Sequence, residues 1–144
     1  MAELKKVEVI VNGITKTIKK SKGFWKSVLS FNEVKKEIKG SVESTTQNRI
    51  TMIAIIESLK KLKEPCRVVI TTNSTYLYGA IAKKWLNRWL NNGWMTTKKT
   101  PVKNQDLWKE LIELANKHKV SFIWDIKTKN ANNIAPDVVY EKNK

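Results

Sequence analysis

Cysteine is almost missing from this 144-residue chain: Cys66 is the only one, which excludes a disulfide framework and a thiolate zinc site. Acid is scarce as well, with 13 Asp and Glu against 28 Lys and Arg and a net charge of +15. There is no repeat and no low-complexity linker. No apolar run reaches the roughly 18 residues of a membrane span. The lysine-bearing amino terminus lacks the apolar stretch and cleavage site of a signal peptide. These absences point to a soluble, cytoplasmic protein with no membrane partner, no cofactor and no structural zinc.

What is present describes a folded basic protein. A hydrophobic content of 41% is ordinary for a globular domain, and the length suits one compact unit, residues 1–144, with a proper core. The positive excess implies a polyanionic partner, nucleic acid first. Cys66, beside an apolar strand, is expected to fill core.

Along the chain, Lys6 to Asn12 alternates as a strand, with Val7, Val9 and Val11 on one face and Glu8, Ile10 and Asn12 on the other, and Gly13 is expected to break it. After a basic turn, GFWKSVLSF and then Val34 to Val42 read as two more strands of an antiparallel meander. From Thr46 the period changes to that of a helix that is apolar nearly all round in its first half and must therefore be deeply buried. Glu64-Pro65 ends it. Arg67 to Thr72 is a β-branched strand, followed by a helix for which Ser74 is a fair N-cap. A tryptophan-rich stretch, Ala80 to Trp108, leads to a helix over Asp106 to His118, the strand SFIWDI and a short final helical segment around Pro136-Asp137. The order βββαβα(α)αβα is an α/β fold with a mixed sheet.

Charge is unevenly placed. Between Pro65 and Gln105 there is no acid, while Arg67, Lys83, Lys84, Arg88, Lys98, Lys99 and Lys103 are positive and Trp85, Trp89 and Trp94 interleave with them. That mixture suits phosphate contact plus stacking on bases or sugars. It equally suits tryptophans that hold a helical projection together from inside.

In order and spacing, TTQNRITMIAIIESLKKLKEP, VVITTNSTYLYGAI, KKWLNRWLNNGWMTTKKTPVKNQDLWKEL and SFIWDI resemble type 1 ribonuclease H over almost the whole chain. WLNNGWMTTKKTPVKNQDLW looks like the basic protrusion of bacterial members. The resemblance implies a five-stranded mixed sheet flanked by helices and a substrate that is an RNA–DNA hybrid. It also implies four metal-binding carboxylates, which would fall at Asn12, Thr51, Asn73 and Asp137, so that three of the four charges are replaced. Metal-assisted hydrolysis relies on anionic oxygen ligands. The resulting expectation is a catalytically inactive pseudoenzyme that binds hybrid or double-stranded RNA without cutting it.

Two alternatives stand beside it: an adaptor docked in a protein or ribonucleoprotein assembly, and a divergent metal-dependent ribonuclease. For the bound duplex, Thr46, Gln47 and Asn48 occupy the segment that in the family meets the minor groove and 2′-hydroxyls, with Asn48 matching the family pattern and Gln47 departing from it, or else they cap a helix. Ser74 is placed for phosphate, or merely begins a helix. Lys83, Lys84, Trp85, Arg88, Trp89, Lys98, Lys99 and Lys103 are the candidates on the protrusion.

Overall fold

Val7, Val9 and Val11 are buried while Glu8, Ile10 and Asn12 are exposed, so the alternation read from the sequence is the alternation of a strand lying on a core. The structure, a computed structural model, describes residues 4–82, 85–96, 98–124 and 138–141. Strand β1 (Lys5–Thr15) pairs antiparallel with β2 (Ser21–Phe31), which pairs antiparallel with β3 (Val34–Thr45), giving the expected meander. Gly13 does not break β1. It lies inside the strand because helix α1 (Gln47–Lys60) approaches there: a Cβ on Gly13 would fall 3.0 Å from both Ile50 Cγ2 and Thr51 Oγ1.

Helix α1 starts at Thr46, whose hydroxyl accepts from the Arg49 amide at 3.3 Å. Its apolar residues face two partners at once, the sheet and helix α4 (Gln105–Ala115), so Ile50, Met52, Ala54, Ile55, Ile56 and Leu59 are all buried. The Arg49 guanidinium clamps the two helices together, donating to both carboxylate oxygens of Asp106 at 2.9 and 2.8 Å. That pairing holds the Asp106 carboxyl down at about 2.

Strand β4 (Cys66–Thr72) runs parallel to β1 and to β5 (Lys119–Trp124), and β6 (Val138–Glu141) adds antiparallel to β5. The sheet order is β3-β2-β1-β4-β5-β6. Five of these strands are those expected. The sixth was not among the expected strands: residues 138–141 close the sheet edge, and the final helical segment expected around Pro136-Asp137 lies outside the described residues. Cys66 is buried core, and its amide donates to His118 Nδ1 at 2.9 Å, tying β4 to the start of β5. Burial lowers the His118 pKa, consistent with a neutral ring that accepts through Nδ1.

Between β4 and β5 come α2 (Thr75–Ala82), α3 (Trp85–Asn91), a loop and α4. Helix α3 ends in a left-handed residue, Gly93 at φ 75°, and the Trp94 amide returns to the Trp89 carbonyl at 2.8 Å. This is the Schellman closure, in which the residue after the left-handed position packs on the last turn of its own helix. Here the two packing residues are tryptophans: the Trp89 and Trp94 rings lie 6.0 Å apart, and Trp89 is 5.9 Å from Trp108. Trp108 is fully buried and donates from Nε1 to the Tyr76 hydroxyl at 2.9 Å.

Candidate functional site

The parallel ladder between β1 and β4 ends at the pair Ile10 and Thr71. Two residues further on, in the same register, stand Asn12 and Asn73, where the two chains diverge. Crevices beyond the carboxyl ends of parallel strands are where ligands settle in open α/β sheets. A cleft of about 420 Å³ opens there, lined by Asn12, Gly13, Ile14, Gln47, Asn48, Asn73, Ser74 and Thr75. Among the described residues no acid lines it.

Each wall follows from local chemistry. Gln47 opens α1, and its side-chain nitrogen donates to the Gly13 carbonyl and, at 3.4 Å, to the Thr51 hydroxyl. Gln47 thus fastens the helix start to β1. Thr51 lies beneath the cleft, only 2% exposed, and its hydroxyl donates to the Gln47 carbonyl at 3.0 Å. Ser74 sits on the opposite lip, where its hydroxyl accepts from the Leu77 amide at 3.1 Å and caps α2.

Of the residues singled out from the sequence, Asn12, Gln47, Asn48, Asn73 and Ser74 share this cleft, and Thr46 is the cap of α1. Arg88, Lys98, Lys99 and Lys103 are exposed on the projection, whereas Trp89 is half-buried in the aromatic cluster. Lys83, Lys84 and Asp137 lie outside the described residues, and of Trp85 only the helical backbone is described. Residues that the sequence did not single out also emerge: Ile14, Phe24, Lys26 and Lys39 form an exposed extension of the cleft across the meander. Their signal was the period-2 alternation of β2, which puts Phe24 and Lys26 on the face of Asn12.

A pair of divalent ions needs several anionic oxygens converging on one point. The cleft offers neutral amide and hydroxyl oxygens instead, and among the described residues no group of three His, Cys, Asp or Glu lies together. These described donors do not by themselves fit a two-ion centre. Asp125 and Asp137, the acids of residues 125–137, lie outside the described residues.

Known proteins bear on the site directly. The ribonuclease H of Thermoanaerobacter sp. (strain X514) is 48% identical over 101 residues, covering 70% of this chain and 65% of the relative. That of Nitratidesulfovibrio vulgaris (strain DP4) is 45% identical over 102 residues, covering 71% of this chain and 65% of the relative. The chain therefore spans just under two thirds of the length of these relatives. Among solved structures, LC9-RNase H1, a type 1 RNase H with the type 2 active-site motif, superposes with a TM-score of 0.75 at 22% identity, covering 87% of this chain and 64% of that one. LC11-RNase H1 in complex with RNA/DNA hybrid superposes with a TM-score of 0.60 at 14% identity, over 87% of this chain and 88% of that one. At those identities the likeness concerns the fold.

The relatives correct one expectation. An inactive binder was inferred from the replaced carboxylates, but proteins this similar in sequence carry the name ribonuclease H, which points to an enzyme. The physical weakness of the inference is that it counted charges: amide carbonyl oxygens also coordinate hard cations, so a carboxylate tally does not measure activity. With the sheet order, the cleft at the ends of β1 and β4, and a match of residues 5–139 to the RNase H family model, the chain belongs to the RNase H family.

Proposed function

We propose that this protein is a ribonuclease that acts on the RNA strand of RNA–DNA hybrids. The observation that carries the proposal is the 48% identity to a protein named ribonuclease H. The net charge of +15 supports it, since a duplex is a dense polyanion. So does the hybrid bound to a protein of the same fold.

In this reading the hybrid lies over the cleft with its minor groove against the start of α1. The Asn48 amide is chemically able to donate to and accept from a 2′-hydroxyl, the group that distinguishes RNA from DNA. Thr46 and Gln47 set the position of that segment, and Ser74 presents its side chain to phosphate on the far lip. Arg88, Lys98, Lys99 and Lys103 approach the backbone from the projection. Such interactions fix position and do not read sequence.

The test is cleavage of an end-labelled hybrid with magnesium or manganese, against double-stranded RNA and double-stranded DNA of the same sequence. Shortening of the RNA strand of the hybrid alone is the expected result, abolished in Asp137→Asn. An intact RNA strand with both metals overturns the proposed activity. Replacing Arg88, Lys98, Lys99 and Lys103 together by Ala is expected to flatten the salt dependence of hybrid binding by about 0.9 in log–log slope for each phosphate no longer neutralised.

A further inference from the structure

The outer face of the meander carries a second depression of about 560 Å³, whose lining includes Asn12, Ile14, Phe24, Lys26, Lys39 and Ser41. Strand register explains the grouping. Ile14, Phe24 and Ser41 are cross-strand neighbours in one row, and Asn12, Lys26 and Lys39 form the next. Adjacent strands lie roughly 4.8 Å apart and the two rows roughly 6.8 Å apart, so these side chains form one contiguous patch.

Three properties define what the patch fits. Its apolar part is open to solvent, with Ile14 60% and Phe24 40% exposed, and Phe24 offers the patch an accessible ring. Its lining charge is positive: among the described residues Lys26 and Lys39 line it and no acid does, and Lys39 has no ion-pair partner, while Lys26 meets Glu37 at 3.3 Å. A further cation, Lys22, stands 5.5 Å from the centre of the Phe24 ring and meets the exposed Glu43 at 3.5 Å. An accessible ring flanked by lysines is the arrangement that takes unpaired nucleotides, stacking the base and holding its phosphates. A duplex, with its bases already stacked on one another, has nothing to place on Phe24.

The patch is also continuous with the cleft, because Asn12 and Ile14 line both. We infer that the outer face of β1, β2 and β3 is a track for single-stranded nucleic acid running on from the hybrid, with a base stacked on Phe24 and phosphates met by Lys26 and Lys39. This rests on the proposed hybrid binding at the cleft. It adds a preference the cleft alone does not supply: a hybrid with a single-stranded extension is held better than a blunt one.

The experiment is fluorescence anisotropy with a blunt hybrid and with the same hybrid carrying an extension of roughly six nucleotides, in separate RNA and DNA versions, at several salt concentrations. The wild-type chain is expected to bind the extended hybrid about tenfold more tightly, the scale of one base–aromatic stack. The advantage is expected to vanish in Phe24→Ala and to shrink in Lys39→Ala, with blunt-hybrid affinity unchanged in both. Equal affinity for the two hybrids overturns the inference, as does an advantage that survives Phe24→Ala. Loss of concentration-dependent dimerisation in Phe24→Ala, without any effect of the extension, assigns the patch to a second copy of the chain and overturns it too. If the blunt hybrid itself does not bind, the proposed function fails separately. The track is then read from a free single strand of the same length, which must bind the wild type and lose about tenfold in Phe24→Ala.

Discussion

The projection and the outer face of the meander are built from similar materials, aromatics among lysines, and use them in opposite directions. On the projection the rings turn inward: Trp108 is fully buried, Trp94 is 9% exposed, and Trp89 packs between them. Its cations are left outside, at Arg88, Lys98, Lys99 and Lys103. On the meander Phe24 faces solvent alongside Lys26 and Lys39. The difference lies in the backbone. A helix closed by a left-handed glycine folds its next residue back onto itself, whereas a strand must send every second side chain away from the core. Aromatic and basic composition therefore marks a nucleic-acid surface only after it is known which way the rings point.

The largest break in that comparison comes from truncating one ring in each region. Trp108→Ala removes a fully buried indole and leaves the Tyr76 hydroxyl with only the longer bond from the Asn104 amide, at 3.3 Å, and is expected to cost about 3–5 kcal/mol. Phe24→Ala, at a half-exposed strand position, is expected to cost about 1 kcal/mol or less. Paired denaturant melts measure both, and similar losses would refute the division into structural and surface aromatics.

A smaller effect separates backbone from packing demands in the two regions. Gly93 has open space where a Cβ would go, so only its φ of 75° demands glycine. Gly93→Ala is therefore expected to destabilise by about 1 kcal/mol through the left-handed backbone alone. Gly40 is the contrasting case on the meander, since its Cβ would fall 2.6 Å from the Trp25 indole nitrogen. Gly40→Ala must displace that ring, and a shift in tryptophan fluorescence should accompany its loss of stability but not that of Gly93→Ala.

The smallest expected effect is a response to acid confined to the projection's side. Asp106, in the first turn of the helix that carries Trp108, has its pKa lowered from 3.8 to about 2, mainly by the hydrogen bond from Arg49. The unfolded chain therefore takes up this proton first as pH falls. The clamp contributes fully above pH 3.8 and is lost as pH drops toward 2. Asp106 is 64% exposed, so the contribution is expected to be only about 0.5–1 kcal/mol. Asp106→Asn should remove this part of the acid dependence in melts followed between pH 5 and pH 2, roughly the interval over which a carboxylate with that shift titrates.

Much of the architecture was legible beforehand because short-range rules dominate it. The alternation of Val7, Val9 and Val11, the change of period at Thr46, and the cap at Ser74 each depend on neighbours within one turn or one strand. Gly13 was misread as a strand break because its reason is remote: it makes room for Ile50 and Thr51 across the sheet–helix boundary. Strand 138–141 went unrecognised for a similar reason, since its pairing with β5 joins segments distant in sequence. At the cleft, residue identities were readable at Asn12, Thr51 and Asn73, but their roles were not. Thr51 lies buried beneath the floor, and the inactivity inferred from all three did not withstand comparison with relatives named ribonuclease H.

By itself, the sequence determined the charge of this protein and the succession of its first five strands and the helices between them, because composition and short periodicities are written locally, while the match of residues 5–139 to the RNase H family rests on long segments taken in order. Only the tertiary structure decided that Gln47 fastens α1 to β1, that Trp89, Trp94 and Trp108 pack together, and that Phe24 faces out over a depression it shares with Asn12. Those outcomes depend on register and on which element lies across from which. Chain segments far apart in sequence set both.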